Sequence, residues 1–361
     1  LTLGIGFAIA EFARSLVFGG YSWGTFGYLM VETQYVKHLG GIVGVYGLTA
    51  FVVMWSAWFG QIAVRMKSGS GSLVHRLRNA LLAKKEFYET VYYFVFFATV
   101  LLYGAYRESR TPDLGLNLRV AIIASQIRTD ESIHEGSYRV YRGLLREALQ
   151  SNPDLILTPE NVFPYFILDE KTMALAYRPP VYLENANELY QDFLVLTQGV
   201  PETTFAVAMH TQVGKKYFNS IVLYQNGAVK SIYHKRKPVP FTEYVPFGLN
   251  MHLFQQFAQG EEIQDFRLGD IALGGYICSE IDVTPLSVHG AKLILSPSND
   301  SALVSDTISP LHHQVARMRA IEAGAYMIRA SKGGISGVID PYGRTLGSMR
   351  DTTGVLVVDI Q

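Results

Sequence analysis

Cys278 is the only cysteine among 361 residues. It follows the apolar run Ile271 to Ile277, at the point where the chain turns polar in Cys278-Ser279-Glu280. A strand that breaks into a sharp turn can hold one side chain towards a cleft, leaving the next backbone N–H, here that of Ser279, free to donate to an oxyanion. A thiol at its ordinary pKa of about 8.5 is mostly protonated at neutral pH, so an acyl-transferring cysteine requires a base or a cation beside it. Two upstream segments offer these groups. Asp154-Leu-Ile-Leu-Thr-Pro-Glu160-Asn161 reads as a buried strand that delivers a carboxylate at its C-terminal end, and Tyr233-His-Lys235 places a lysine at the close of another short strand. Glu160 as general base, with Lys235 as the charge facing a thiolate and then a tetrahedral oxyanion, would complete a covalent acyl-transfer site. Each residue taken singly has a plainer reading: lone cysteines are mostly inert core, and a buried Glu with a buried Lys is often only an ion pair.

Glutamate, lysine and cysteine in this order resemble the nitrilase, or carbon–nitrogen hydrolase, superfamily. Val239-Pro-Phe-Thr-Glu-Tyr-Val-Pro246, Ile277-Cys-Ser-Glu-Ile281, Ser298-Asn-Asp300, Ala316-Arg-Met-Arg-Ala-Ile-Glu322 and Gly334-Ile-Ser-Gly-Val-Ile-Asp-Pro-Tyr-Gly343 narrow the resemblance to its apolipoprotein N-acyltransferase branch. The resemblance implies a Glu160–Lys235–Cys278 triad, with Glu243 as a carboxylate held close to it that orients Lys235 or handles a proton. It also implies transfer of an acyl chain from a phospholipid donor, through a thioester on Cys278, to the terminal amine of a diacylated lipoprotein acceptor, without a cofactor. Glu280, two residues past the thiol, reads as a holder of the turn, while Arg317, Arg319 and Glu322 fall at helical spacing and read as braces. The chain departs from the family at Thr158, Ser279, Ala302, Leu303 and Lys332, the last where Asn-Asn-Gly-Ile becomes Lys332-Gly-Gly-Ile335. These departures bear on the acyl or acceptor pocket and leave the three central residues untouched.

The elements that must position these residues divide the chain in two. Charged residues make up only 17% and aromatics 12%, and mean hydropathy is positive, with the apolar excess in the first third. Ile42 to Val64 and Thr90 to Tyr106 are uncharged and read as transmembrane helices. Leu1 to Phe18 reads as a third span, with Glu11 and Arg14 sharing a helix face inside the bundle. Arg65, Lys67, Arg76, Arg78, Lys84 and Lys85 make a basic connector around Ser68-Gly-Ser-Gly-Ser72, which the positive-inside rule places in the cytoplasm. Everything after about Arg107 is then expected on the outer, periplasmic face of a bacterial inner membrane, as a multi-pass protein. The chain opens on Leu1 and stops in a strand-like Gly354–Gln361, so the resemblance implies further helices beyond both ends.

From Leu118 onward, short apolar runs such as Val120–Ala124, Leu155–Leu157, Phe205–Ala208, Ser220–Tyr224, Leu293–Leu295 and Val338–Ile339 alternate with predicted helices at Ser137–Gln150, Leu183–Gln198 and Pro310–Ala323. This is an α/β pattern, and the resemblance selects a four-layer αββα nitrilase-like sandwich. The division is therefore residues 1–110, part of an α-helical transmembrane bundle, and residues 113–361, the catalytic domain. Phe163-Pro-Tyr-Phe-Ile-Leu168 and Phe247-Gly-Leu-Asn-Met-His-Leu-Phe254 are expected to be lipid-facing loops. No metal is expected: His312 and His313 diverge by about 100° on a helix and lack a partner motif. A formal net charge of zero and the lack of a base-stacking motif argue against nucleic acid. The residues alone leave open a membrane-tethered amidase in which water resolves the thioester, a non-catalytic lipid-binding scaffold, and, least economically, transport.

Overall fold

The computed structural model describes residues 1–17, 20–127, 135–164, 166–176, 186–245, 256–262, 265–283, 288, 290–302 and 308–361, which fall into two compact units. The first unit contains helices α1 (Thr2–Leu16), α2 (Gly40–Ser68), α3 (Leu73–Leu82) and α4 (Lys84–Glu108). Val36–Ser68 and Glu86–Glu108 are long and apolar enough to cross a membrane by length and composition. The third predicted span forms α1, a helix of 15 residues. Glu11 is buried, accepting from Thr49 Oγ1 at 2.7 Å and from the Phe26 amide at 3.1 Å, while Arg14 donates to Thr25 Oγ1. Each of the two thus finds its own partner. Close backbone approach needs glycine here: a Cβ on Gly27 would sit 1.9 Å from the Val45 carbonyl oxygen. Of the basic connector, Arg65 and Lys67 end α2, Lys84 and Lys85 begin α4, and Arg76 and Arg78 lie on α3, whose N-terminus Ser72 caps by accepting from the His75 amide.

The second unit covers residues 112–361 and includes Tyr21, which bridges to Val283. Its first sheet contains β1 (Leu118–Ala124), β2 (Leu155–Leu157), β3 (Ile167–Asp169), β4 (Ala174–Leu175), β5 (Thr204–Val213), β6 (Lys216–Gln225), β7 (Ala228–His234) and the last strand, Gly354–Ile360. The second sheet contains β8 (Arg267–Leu268), β9 (Ile271–Gly275), β10 (Leu293–Asn299), β11 (Tyr326–Lys332), β12 (Ser336–Ile339) and β13 (Thr345–Met349); the last strand is β14. β1, β2 and β5 run parallel, as do β9, β10 and β11. The strand interiors are continuous apolar runs because both faces are covered.

One core lies between the sheets, where Val120, Ile122, Leu157 and Ile221 meet Leu273, Leu293, Ile328 and Val338. A second lies outside the first sheet beneath α5 (Glu135–Leu149) and α6 (Ala186–Gln198), and α7 (Ile308–Ala323) packs on β11 and β12 of the second sheet. The layers run helix, sheet, sheet, helix. Phe163, Phe166, Ile167 and Leu168 correct the expectation of a lipid-facing loop. They are buried with Tyr138, Tyr141 and Phe193, because β3 docks alongside β5 and its aromatic lead-in fills the space beneath α5 and α6. The other expected lipid-facing segment, 247–254, lies outside the described residues, as do Pro246 and Leu303.

Candidate active site

Three strand ends converge on one cluster. Beyond β2 the chain stays laced to β5: the Thr158 amide donates to the Ala206 carbonyl at 3.0 Å, and Thr158 Oγ1 accepts from the Ala208 amide at 3.1 Å. The next turn buries Glu160, whose amide donates to the Ser298 carbonyl of β10 at 3.4 Å. Lys235 is the first residue past β7, and its amide donates to the Asn219 carbonyl at 2.8 Å. Its Nζ lies 2.8 Å from Glu243 Oε2 and 3.0 Å from Oε1. Asn219, from β6, donates through Nδ2 to Glu160 Oε1 at 2.8 Å and to Glu243 Oε1 at 3.0 Å. A continuous path of hydrogen bonds therefore runs from Glu160 through Asn219 and Glu243 to Lys235. The Val239 amide fixes the far oxygen of Glu243 at 2.6 Å.

Cys278 sits just past β9, half-buried, with a φ of 53°. Non-glycine residues rarely hold that left-handed region unless their surroundings enforce it. Glu280 does much of the enforcing. Its carboxylate accepts from the Ile277 amide at 2.8 Å, the Arg236 amide at 2.7 Å, the Lys237 amide at 3.1 Å and the Tyr233 hydroxyl at 3.2 Å. It thereby ties the turn of Cys278 to the loop that carries Lys235. The strand ends before Glu280, which enters the short 3-10 turn Cys278–Asp282 and reaches sideways to Arg236 and Lys237. Arg319 braces the same turn by donating to the Ile281 carbonyl at 2.7 Å and pairs with Glu322. Arg317 donates instead to the Gly343 carbonyl. Ser279 is half-buried in the turn.

The electrostatics of the cluster pull in opposed directions. Burial pushes the Cys278 thiol up, Glu160 adds to the rise, and Lys235 and the Asn299 amide oppose it. Lys235 also pays desolvation, yet the charges of Glu243 and Glu160 outweigh burial and raise its ammonium. Glu243 is held below the ordinary carboxylate value in spite of burial, because Lys235 is bonded to it. Burial raises Glu280. The resulting resting state has a protonated thiol beside a fixed ammonium and an ionised Glu243. Such a thiol becomes nucleophilic when a base removes its proton as it attacks.

Two residues of the cluster escaped the sequence reading. Asn219 offers as its signal only a polar side chain directly before the apolar stretch of β6. Lys332, noted only as a departure from the family, is buried, and its Nζ donates to the Asn161 carbonyl at 2.8 Å. His312 joins a buried charge group, with Nδ1 2.9 Å from Asp300 Oδ1, Nε2 3.4 Å from Asp282, and Arg329 Nη2 2.9 Å from Asp300. A cleft of 380 Å³ runs past the loop after β7, walled by Tyr21, Lys237, Pro240, Tyr244, Phe257 and Val283. Ala302 closes the 3-10 turn Asp300–Ala302.

Residues 119–361 match the carbon–nitrogen hydrolase family. The apolipoprotein N-acyltransferase of Aquifex aeolicus is 25% identical over 95% of this chain, and that of Haemophilus influenzae is 29% identical over 94%. The chain spans 72% of the first relative's length and 64% of the second's. Among solved structures, an amidase of the nitrilase superfamily from Nesterenkonia shares the fold with a TM-score of 0.50 and 20% identity, over 69% of this chain and 92% of the amidase.

Proposed function

Because this chain belongs to the carbon–nitrogen hydrolase family, we propose that it is a membrane-anchored N-acyltransferase of lipoprotein maturation with Glu160, Lys235 and Cys278 as its catalytic residues. The observation that carries this reading is the Glu160–Asn219–Glu243–Lys235 hydrogen-bond path beside a cysteine held at positive φ. In the first half-reaction, Sγ of Cys278 attacks the ester carbonyl of a phospholipid while Glu160 takes the thiol proton. The Lys235 ammonium and the Ser279 amide balance the developing oxyanion. The carbon–oxygen bond then breaks, Glu160 returns its proton to the departing lysophospholipid alcohol, and a thioester remains. In the second, the neutral terminal amine of a diacylated lipoprotein attacks that thioester, Glu160 accepts a proton from the amine, and the Cys278 sulfur leaves and is reprotonated. Glu243 holds Lys235 in place and keeps it charged throughout.

The name shared by the curated relatives supports an acyl acceptor of this class, and a mutant of the Nesterenkonia amidase carries the acetamide moiety of fluoroacetamide added covalently at its active-site cysteine. Two helices of crossing length and the basic stretch between them support residues 1–110 as part of a membrane bundle, with residues 113–361 on the periplasmic side of a bacterial inner membrane. Intact-mass spectrometry of the full-length protein with phosphatidylethanolamine, beside Cys278→Ala, tests the scheme. The expected result is an acyl-sized gain on Cys278 that passes to the amine of a diacylated lipopeptide. Discharge to water alone would convert the reading to a hydrolase, and no gain on a thiol that still alkylates would leave a lipid-binding scaffold.

A further inference from the structure

The proposed chemistry leaves one buried lysine without a task. Lys332 ends β11, and its side chain is 0% exposed. Its Nζ donates to the carbonyl of Asn161, the residue after Glu160, and Asn161 is itself held at a φ of 50°. The backbone that carries the lysine is equally fixed. Lys332 pairs with Asn299 in the parallel β10–β11 register, and the Gly333 amide donates to the Ser125 carbonyl at 2.8 Å. At Gly334 a Cβ would fall 2.2 Å from Asp300 Oδ2, so the turn after Lys332 admits no side chain there. A carbonyl anchor needs only a neutral donor, and burying an ammonium is unfavourable unless a counter-charge offsets it. The counter-charge that acts on Lys332 is Glu160.

We propose that Lys332 is a positioning residue for Glu160: its buried side chain ties down the carbonyl next to that carboxylate and sets a second positive charge beside it. This rests on the reading of Glu160 as the base. Among the described residues, Lys235, Cys278 and Lys332 feel the charge of Glu160, with Glu243 beyond the shared Asn219. Lys235 is bonded to Glu243, which leaves Lys332 as the cation committed to the Glu160 turn. Burial lowers the Lys332 ammonium to about 8 while Glu160 draws it back up, so it carries its charge at neutral pH.

The test follows formation of the Cys278 acyl-enzyme from phosphatidylethanolamine in the full-length protein between pH 5 and 9. Wild type is compared with Lys332→Met, Lys332→Gln and Glu160→Gln. Gln restores a donor to the Asn161 carbonyl without the charge. Both Lys332 variants should have the acid limb of the rate profile moved up by about one pH unit, with a slowing that grows towards pH 5 and reaches about tenfold only below the limb, as expected when a nearby opposite charge is removed. Lys332→Gln should keep the wild-type thermal midpoint, so it decides the matter if Lys332→Met folds poorly. An unmoved acid limb in Lys332→Gln, or a loss equal at every pH accompanied by a lower thermal midpoint, would overturn the proposal. If Glu160→Gln acylates like wild type, the reading of Glu160 as the base fails. An inactive Glu160→Gln beside an unaltered Lys332→Gln would sink only the role given to Lys332.

Discussion

Two buried lysines feel the charge of Glu160, one just past β7 and one closing β11. Lys235 is 1% exposed and Lys332 0%, yet the first ammonium is raised and the second lowered to about 8. Desolvation acts on both in the same direction, so burial does not separate them. The difference is the partner: Lys235 meets a carboxylate at 2.8 Å, whereas Lys332 bonds to a neutral carbonyl and feels the charge of Glu160. A charge-assisted hydrogen bond to an ionised acceptor outweighs desolvation, and a bond to a carbonyl does not. The Lys235 ammonium is thus held firmly charged, while that of Lys332 stands closer to losing its proton.

The largest effect should come from Lys235→Met, which leaves Glu243 and Glu160 facing one another through Asn219 without their cation. Removing one member of a buried pair costs about 3–5 kcal/mol, and loss of an oxyanion-stabilising group slows chemistry by about 10²–10³-fold. Calorimetry and single-turnover acylation of the variant would measure both. If Lys235→Met matches Lys332→Met in stability and rate, the contrast between the two lysines is void. Glu243→Gln comes next, with acylation slowed by about 10–100-fold, as for other residues that orient a central group. Glu243 lies below its ordinary value of 4.5. Its contribution to stability is therefore complete above that value and lost as pH falls through the lower, folded-state value. Glu243→Gln should flatten this acid-side loss, and a melting series from pH 6 downward that runs parallel to wild type would show that the Lys235 pair is not what stabilises the fold there.

Glu160 and Cys278 are visible in the sequence because each lies just past an apolar run, whereas Lys235, which follows Lys230-Ser-Ile-Tyr-His234, is picked out by the order of glutamate, lysine and cysteine. Glu280 is legible for the same reason as Cys278. Asn219 is not: it meets Glu160 and Glu243 only once β5 and β6 pair and the loop after β7 folds back. The Phe163–Leu168 run misleads because apolar residues look alike whether they face lipid or core. What decides is that β3 takes the free edge of β5 under two helices. The α/β alternation is legible in the sequence: the expected helix Ser137–Gln150 falls on α5, Glu135–Leu149, and the described part of the expected Leu183–Gln198 is α6, Ala186–Gln198. Lys332 stood out as a departure, but its bonded partner is a backbone carbonyl, which has no side-chain identity to read.

The smallest effect sharpens the comparison furthest, because the two lysines should tilt the stability curve in opposite directions in alkali. For Lys332 the folded state gives up its proton near 8 and the unfolded state near 10.5. Between those values the unfolded chain binds more protons, so stability rises with pH, by about 1 kcal/mol from pH 8 to 9. The desolvation cost of its charge is fully present below 8 and relieved as pH climbs. Lys235 has the reverse sign: its raised folded value makes its contribution complete below 10.5 and lost as pH rises through that higher value. Scanning calorimetry of the full-length protein between pH 7.5 and 9.5 isolates Lys332 as the difference between variant and wild type, since Lys235 stays protonated in both states across that range and the raised thiol of Cys278 is common to both proteins. Relative to wild type, Lys332→Met should lose about 1 kcal/mol of alkaline gain over one pH unit. Parallel curves would mean that the Lys332 ammonium is held as firmly as that of Lys235, and that Glu160 is its full ion-pair partner.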